Sequence, residues 1–183
     1  AEVSRGSFYN YFPSLPALYD GLAKQLMQEF AEITDVSAPS TLDTVTRVAS
    51  TMRILMRLVV DFPMLGRFLT QIQWPNQNPD LDIFQNIVRD IQLGIKEGSF
   101  TNMPASIGAN IAIGSLIGGI HTMLLKRPAK GFEDQVTNQV LIGLGIDAKS
   151  ASKISQTSLS SRAPLPQTGI LGKLAEMGVL AKK

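Results

Sequence analysis

An all-α fold is predicted by three features of the chain. Apolar residues recur at three- and four-residue spacing in one segment after another, the period that lines one face of a helix. Residues able to cap helix starts stand before several of these segments, and prolines and glycines fall between them. A hydrophobic content of 44% with 17% charged residues suits a chain that buries a core, and 183 residues suffice for one good core.

Taken in order, Ser4 can cap a short helix on which Phe8 and Phe12 share an apolar face, while Arg5, Gly6, Ser7, Tyr9, Asn10 and Tyr11 crowd small, polar and phenolic groups together. A helix of about two turns is not stable alone, so its apolar face must dock on a neighbour and its polar face is free for a partner. Ser14 caps the first long helix, with Pro16 in its first turn and Ala17, Leu18, Leu22, Leu26, Phe30 and Ile33 as its seam. Val36 to Ser40 is a loop. Thr41 or Asp43 caps a second long helix through Asp61, with Val45, Val48, Met52, Leu55, Met56 and Val59 inward and Arg47, Arg53 and Arg57 outward. Pro63 bends the chain into a shorter helix bearing Met64, Leu65, Phe68, Leu69 and Ile72.

Trp74 to Pro79 forms a loop, and Asp80 and Asp82 suit the first turn of a helix that turns Leu81, Phe84, Ile87, Val88, Ile91 and Ile95 inward and stops at Gly98. Ala105 to Lys126 is rich in Ile, Gly and Ala and approaches the length of a membrane span. Asn110, Ser115, His121 and Thr122 interrupt it and no second span accompanies it, so a packed helix with no membrane partner is expected. Gly131 to Gly145 follows after a short loop with Phe132, Val136, Val140, Leu141 and Leu144 as its stripe. Two apolar helices joined this tightly are antiparallel neighbours; either they bury their surface in a twofold-related copy, or both are plain monomer core. From Ile146 the composition loosens. Gly169 to Lys183 reads as a small amphipathic helix whose Ile170, Leu171, Leu174, Met177 and Leu180 pack the tail over the body, across a dimer partner in one version. Leu165 to Gly169 spells a sortase sorting motif, but the long apolar segment that such a signal needs does not follow it.

The opening helix meets the demands of a major-groove reader: close approach through small residues, with phenols, a guanidinium and an amide as donors. The run Val-Ser-Arg-Gly-Ser-Phe-Tyr-Asn-Tyr-Phe-Pro-Ser, Val3 to Ser14, also resembles the end of the helix-turn-helix of tetracycline-repressor (TetR) family regulators. That recognition helix typically reads Val-Ser-(Arg/Lys)-Gly-(Thr/Ser)-(Phe/Leu)-Tyr-x-(Tyr/His)-Phe. The family continues Ser-Lys-Glu-Ala-Leu where this chain has Ser14-Leu15-Pro16-Ala17-Leu18, so the lysine that addresses a phosphate is replaced.

The resemblance implies a TetR-like all-α protein that begins within the helix-turn-helix, since the family places two helices ahead of this point. Residues 1–14 are then the remnant of the DNA-binding head, 15–158 a ligand-binding and dimerisation domain, and 159–183 a tail. Ser4, Arg5, Gly6, Ser7, Tyr9, Asn10 and Tyr11 would address double-stranded operator DNA, with Ser7, Tyr9 and Asn10 reading bases and Arg5 and Tyr11 on phosphates. The middle helices would hold a lipophilic or aromatic effector among Met27, Phe30, Met52, Met56, Phe68, Gln71, Ile72, Trp74, Phe84, Ile87, Ile91, Asn110, Ile113, Ile117 and His121. At helical spacing the same residues equally describe a plain core. The last two main helices would pair in a homodimer through Gly118, Gly119, Thr122, Phe132, Val136, Gln139, Val140 and Leu144.

Net charge of +2, with only Arg5 and Lys24 as cations up to Val45, neither supports nor excludes nucleic acid. Absence of cysteine removes disulfides, thiolate nucleophiles and Cys-based metal sites and agrees with a cytoplasmic protein. The single histidine, His121, has no catalytic constellation or phosphate loop around it, so no enzyme, cofactor or metal is expected. The expected function is a transcriptional regulator, a repressor, binding a palindromic operator as a homodimer and released by its effector. The alternative is an all-helical lipophilic-ligand-binding or interaction protein that does not bind DNA.

Overall fold

The computed structural model describes residues 12–71, 82–126, 129–159, 165 and 168–176, the side chains of residues 68, 71 and 82–84 excepted. Among these residues lie eight helices: α1 (Leu15–Ser37), α2 (Thr44–Asp61), α3 (Pro63–Gln71), α4 (Asp82–Lys96), α5 (Ala105–Leu125), α6 (Phe132–Gly143), α7 (Ala148–Ser155) and α8 (Ile170–Glu176).

Their ends follow from local chemistry. Ser14 Oγ accepts the Ala17 N–H at 3.2 Å and Pro16 occupies the first turn of α1. Asp43, rather than Thr41, caps α2 by accepting the Thr46 N–H at 2.9 Å. Partial burial pushes the Asp43 carboxyl up, but its hydrogen bonds with Thr46 and the neighbouring backbone pull harder and leave it below the ordinary aspartate value. Gly98, with φ of 74°, ends the turn after α4, and Phe100 folds back so closely on Gly94 that a side chain there would collide with its ring.

α2 is the axis of the body and packs against every helix from α1 to α7. Phe30, Met52, Met56, Ile91 and Leu141, at 0–1% exposure, come from four different helices and meet in one core. Burial of each such side chain contributes about 1.5–3 kcal/mol. The expected seams of α1, α2 and α4 point inward where they can be followed: Leu26, Phe30 and Ile33; Val45, Val48, Met52, Leu55, Met56 and Val59; Ile87 and Ile91.

Two expectations need correction. Arg47 and Arg53 do not face solvent, because α2 has neighbours on its polar side too; their side chains are 10% and 3% exposed. Each is kept buried by a carboxylate. Arg47 donates from Nε and Nη2 to Asp90 Oδ2 and Oδ1 at 2.8 and 3.0 Å, a two-bond fork. The hydrogen bonds with Asp90 outweigh burial and hold the Arg47 guanidinium above its usual pKa. Arg53 donates to Asp134 Oδ1 and the Thr157 carbonyl, both at 2.6 Å, and Arg57, partly exposed as expected, reaches Glu133 at 3.1 Å. Met64, at the start of α3 just past the bend, stands exposed. The stretch after Ile146 is not loose. Asp147 accepts the Lys149 and Ser150 N–H groups at 3.1 and 3.0 Å and starts α7, which buries Ala151 and Ser155 against α6 and α2.

The tail helix α8 forms where expected and packs on α1 of its own chain; Met177 and Leu180 lie outside the described residues.

Candidate functional site

Seven residues expected to line an effector chamber are brought together. Met27 and Phe30 of α1, Met52 and Met56 of α2, Ile87 and Ile91 of α4 and Ile113 of α5 all belong to one buried cluster, and Ile117 packs half-buried against it. The side chains of Phe68, Gln71 and Phe84, and the whole of Ile72 and Trp74, lie outside the described residues, as do Ser4, Arg5, Gly6, Ser7, Tyr9, Asn10 and Tyr11. Thioethers and branched chains make an apolar wall that can adapt to a guest.

Asn110 and His121 are corrections to that set, because both are exposed. On α5 the buried positions are Gly108, Ala109, Ala112, Ile113, Leu116, Gly119 and Ile120. Ile107, Asn110, Gly114, Gly118, His121 and Leu125 recur at three- and four-residue intervals as its exposed stripe. A side chain on that stripe cannot orient a guest held between Met52 and Ile113.

The polar groups at the edge of the apolar cluster are instead ones that sequence reading missed. Arg47, Asp90, Thr51 and Asn86, with Thr34, Ala38, Val48 and Ile87, line a cavity of about 20 Å³. That is room for one water and too small for an aromatic guest. A signal existed in the sequence: Asp90 directly precedes Ile91 and lies three residues after Ile87, so a carboxylate adjoined the seam.

The expected pairing surface is divided in two. Gly118 and Gln139 are exposed, Thr122 is half-buried with its hydroxyl donating to the Gly118 carbonyl at 2.9 Å, and Phe132 and Val136 are half-buried. Gly119, Val140 and Leu144 are corrections: they are buried within the chain itself. A side chain at Gly119 would meet Met56 Sδ at 3.2 Å and Val136 at 3.6 Å, so the glycine serves α5 packing against its own body. At Gly114 and Gly118 an added Cβ meets nothing within 4 Å. The open surface is therefore the α5 stripe, with Ile107 at 50% and Leu125 at 70% exposure, together with Gln135, Gln139 and Ile142 of α6.

By length and composition α5 could cross a membrane, the one such helix among the described residues, but its Ile113, Leu116 and Ile120 face are core. No group of three or more His, Cys, Asp or Glu side chains able to hold a metal occurs among the described residues.

The chain is thus an all-helical body built round one long central helix, with an apolar cluster among α1, α2, α4 and α5 and an open stripe on α5. Residues 43–157 match the model of the tetracyclin repressor-like C-terminal domain, and the chain belongs to that family. It is a transcriptional regulator of the TetR type. Two solved structures share the fold, RolR in complex with the ligand resorcinol and RolR without ligand. Their TM-scores are 0.72 and 0.71 at 22% and 24% sequence identity, over 87% of this chain and 80% and 83% of theirs. No curated protein matches the chain.

Proposed function

We propose that this regulator binds a palindromic operator as a homodimer and releases it when a small lipophilic or aromatic molecule enters the apolar cluster between α1, α2, α4 and α5. The observation that carries the reading is the family match over residues 43–157, joined to a stretch at Val3–Ser14 that resembles the family's recognition helix. Ser7, Tyr9 and Asn10 read base edges, Arg5 and Tyr11 anchor the helix to phosphates, and the small Ser4 and Gly6 early in it permit the close approach. The open α5 stripe supports pairing, because Ile107 and Leu125 stand exposed at its two ends and Gly114 and Gly118 between them leave room for a second backbone to approach. RolR, with its ligand resorcinol, supports a small phenol as the effector class.

An effector acts only through differential affinity for two head spacings, so its binding must weaken DNA binding and DNA must weaken its binding equally. A gel-shift titration of the intact polypeptide, using a duplex selected from a random pool, tests the proposal. Operator binding that is weakened by millimolar resorcinol or a related phenol, and reduced in Tyr9→Ala without change of dimer mass, is the expected result. Absence of any selected duplex would leave the carrier reading in its place.

A further inference from the structure

The tail beyond residue 157 lies outside the matched family domain, yet it is tied to α1 by a specific device. Glu29, 1% exposed in the middle of α1, accepts the Ile170 N–H at 2.8 Å through Oε1 and the Leu171 N–H at 2.9 Å through Oε2. Its two oxygens thus cap the first turn of α8, and Gln25 Nε2 holds the same carboxylate by donating to Oε1 at 2.9 Å. Leu171 is fully buried beside it. Gly169 turns the chain into α8 at φ of 114°, and a side chain there would collide with the Glu29 carboxylate, so only glycine permits this approach. Burying a carboxylate without partners is costly, so Glu29 and the α8 amides require one another.

α8 packs on α1 and on no other described helix. α1 begins at Ser14, directly after the stretch read as the recognition helix. We infer that the tail is a strap that holds α1 in the orientation competent for DNA. Its docking and undocking regulate operator affinity independently of the effector chamber. The regulatory half rests on the proposed function; the strap itself does not. With the strap released, α1 samples more orientations, and the competent head spacing is less populated.

The test uses Gly169→Val, which unhinges the tail while leaving the α1 sequence unaltered, alongside Glu29→Ala and a chain ended after Ser158. Hydrogen exchange read by mass spectrometry should show amides of residues 26–34 exchanging about tenfold faster in all three, with α2 unchanged. Affinity for the selected duplex should fall about threefold or more in Gly169→Val. Unaltered α1 exchange in Gly169→Val overturns the strap. Faster exchange with wild-type duplex affinity overturns its regulatory role. A wild-type chain that binds no selected duplex sinks the regulator reading, and exchange alone then decides the strap.

Discussion

Helices α2 and α5 invert what their compositions promise. α2 carries three arginines and an amphipathic pattern, yet fourteen of its eighteen residues are buried. α5 is mostly apolar and long enough for a membrane, yet its most apolar window is 39% buried and a full stripe of it stands open. Hydrophobicity of a segment therefore did not decide its burial in this chain; the number of neighbours did. α2 has helices on every side, so its arginines had to bring carboxylates with them, Asp90 from α4 and Asp134 from α6. Among the described residues α5 has neighbours on one side only, and Ile107 and Leu125 on the other stand exposed.

The comparison breaks most visibly at the buried pairs. Arg47→Met leaves Asp90, 8% exposed, facing only the weaker contact from exposed Arg89, and should cost about 3 kcal/mol in urea unfolding. Arg47→Met with Asp90→Leu should recover most of that loss, since a paired charge and a well-packed apolar pair are nearly equivalent. A double variant as unstable as the single one would show that the pair holds more than its own charges.

Adjacent glycines on α5 sharpen the contrast further. Gly119→Leu drives a side chain into Met56 and Val136 and should destabilise the fold by about 1–3 kcal/mol. Gly118→Leu enters open space in a single chain, so its thermal unfolding should hold or rise slightly while sedimentation shows dimer converting to monomer. Loss of folding in both variants would mean that the stripe is not a surface.

The smallest effect lies at the start of α2. Asp43→Ala removes the cap and should cost about 1 kcal/mol. Because the folded carboxyl sits below its ordinary value, its contribution is present above the unfolded pKa and is lost as pH falls through the folded one. In an acid series below about pH 4, wild type should therefore lose stability more steeply than Asp43→Asn.

How much was legible depends on which relation each residue obeys. Most of the described helices, the Ser14 cap and the Gly98 stop are local, set within four residues of chain, and they stand where the pattern put them. That seven of the residues expected around an effector are buried together was legible for the same reason, since each sits on an apolar face. Asn110 and His121 were placed on the wrong side because the Gly- and Ile-rich α5 pattern has no polar arc to set its phase. Val140 and Leu144 were assigned to a partner because an apolar stripe does not say whose surface covers it. α7 was missed because Ser and Lys composition outweighed the one informative residue, Asp147.

By itself the sequence determined that the chain is helical, where most of its helices begin and end, and which resemblance its first residues carry, because caps, turns and periodicity act over a few bonds. Tertiary structure alone decided that Arg47, Arg53 and Glu29 are interior groups, that Gly118 is open while Gly119 is closed, and that the tail is fastened to α1. Those outcomes depend on which helix lies alongside. Partners 43, 81 and 141 residues apart in the chain supply the compensating bonds, and no local rule registers a neighbour so distant.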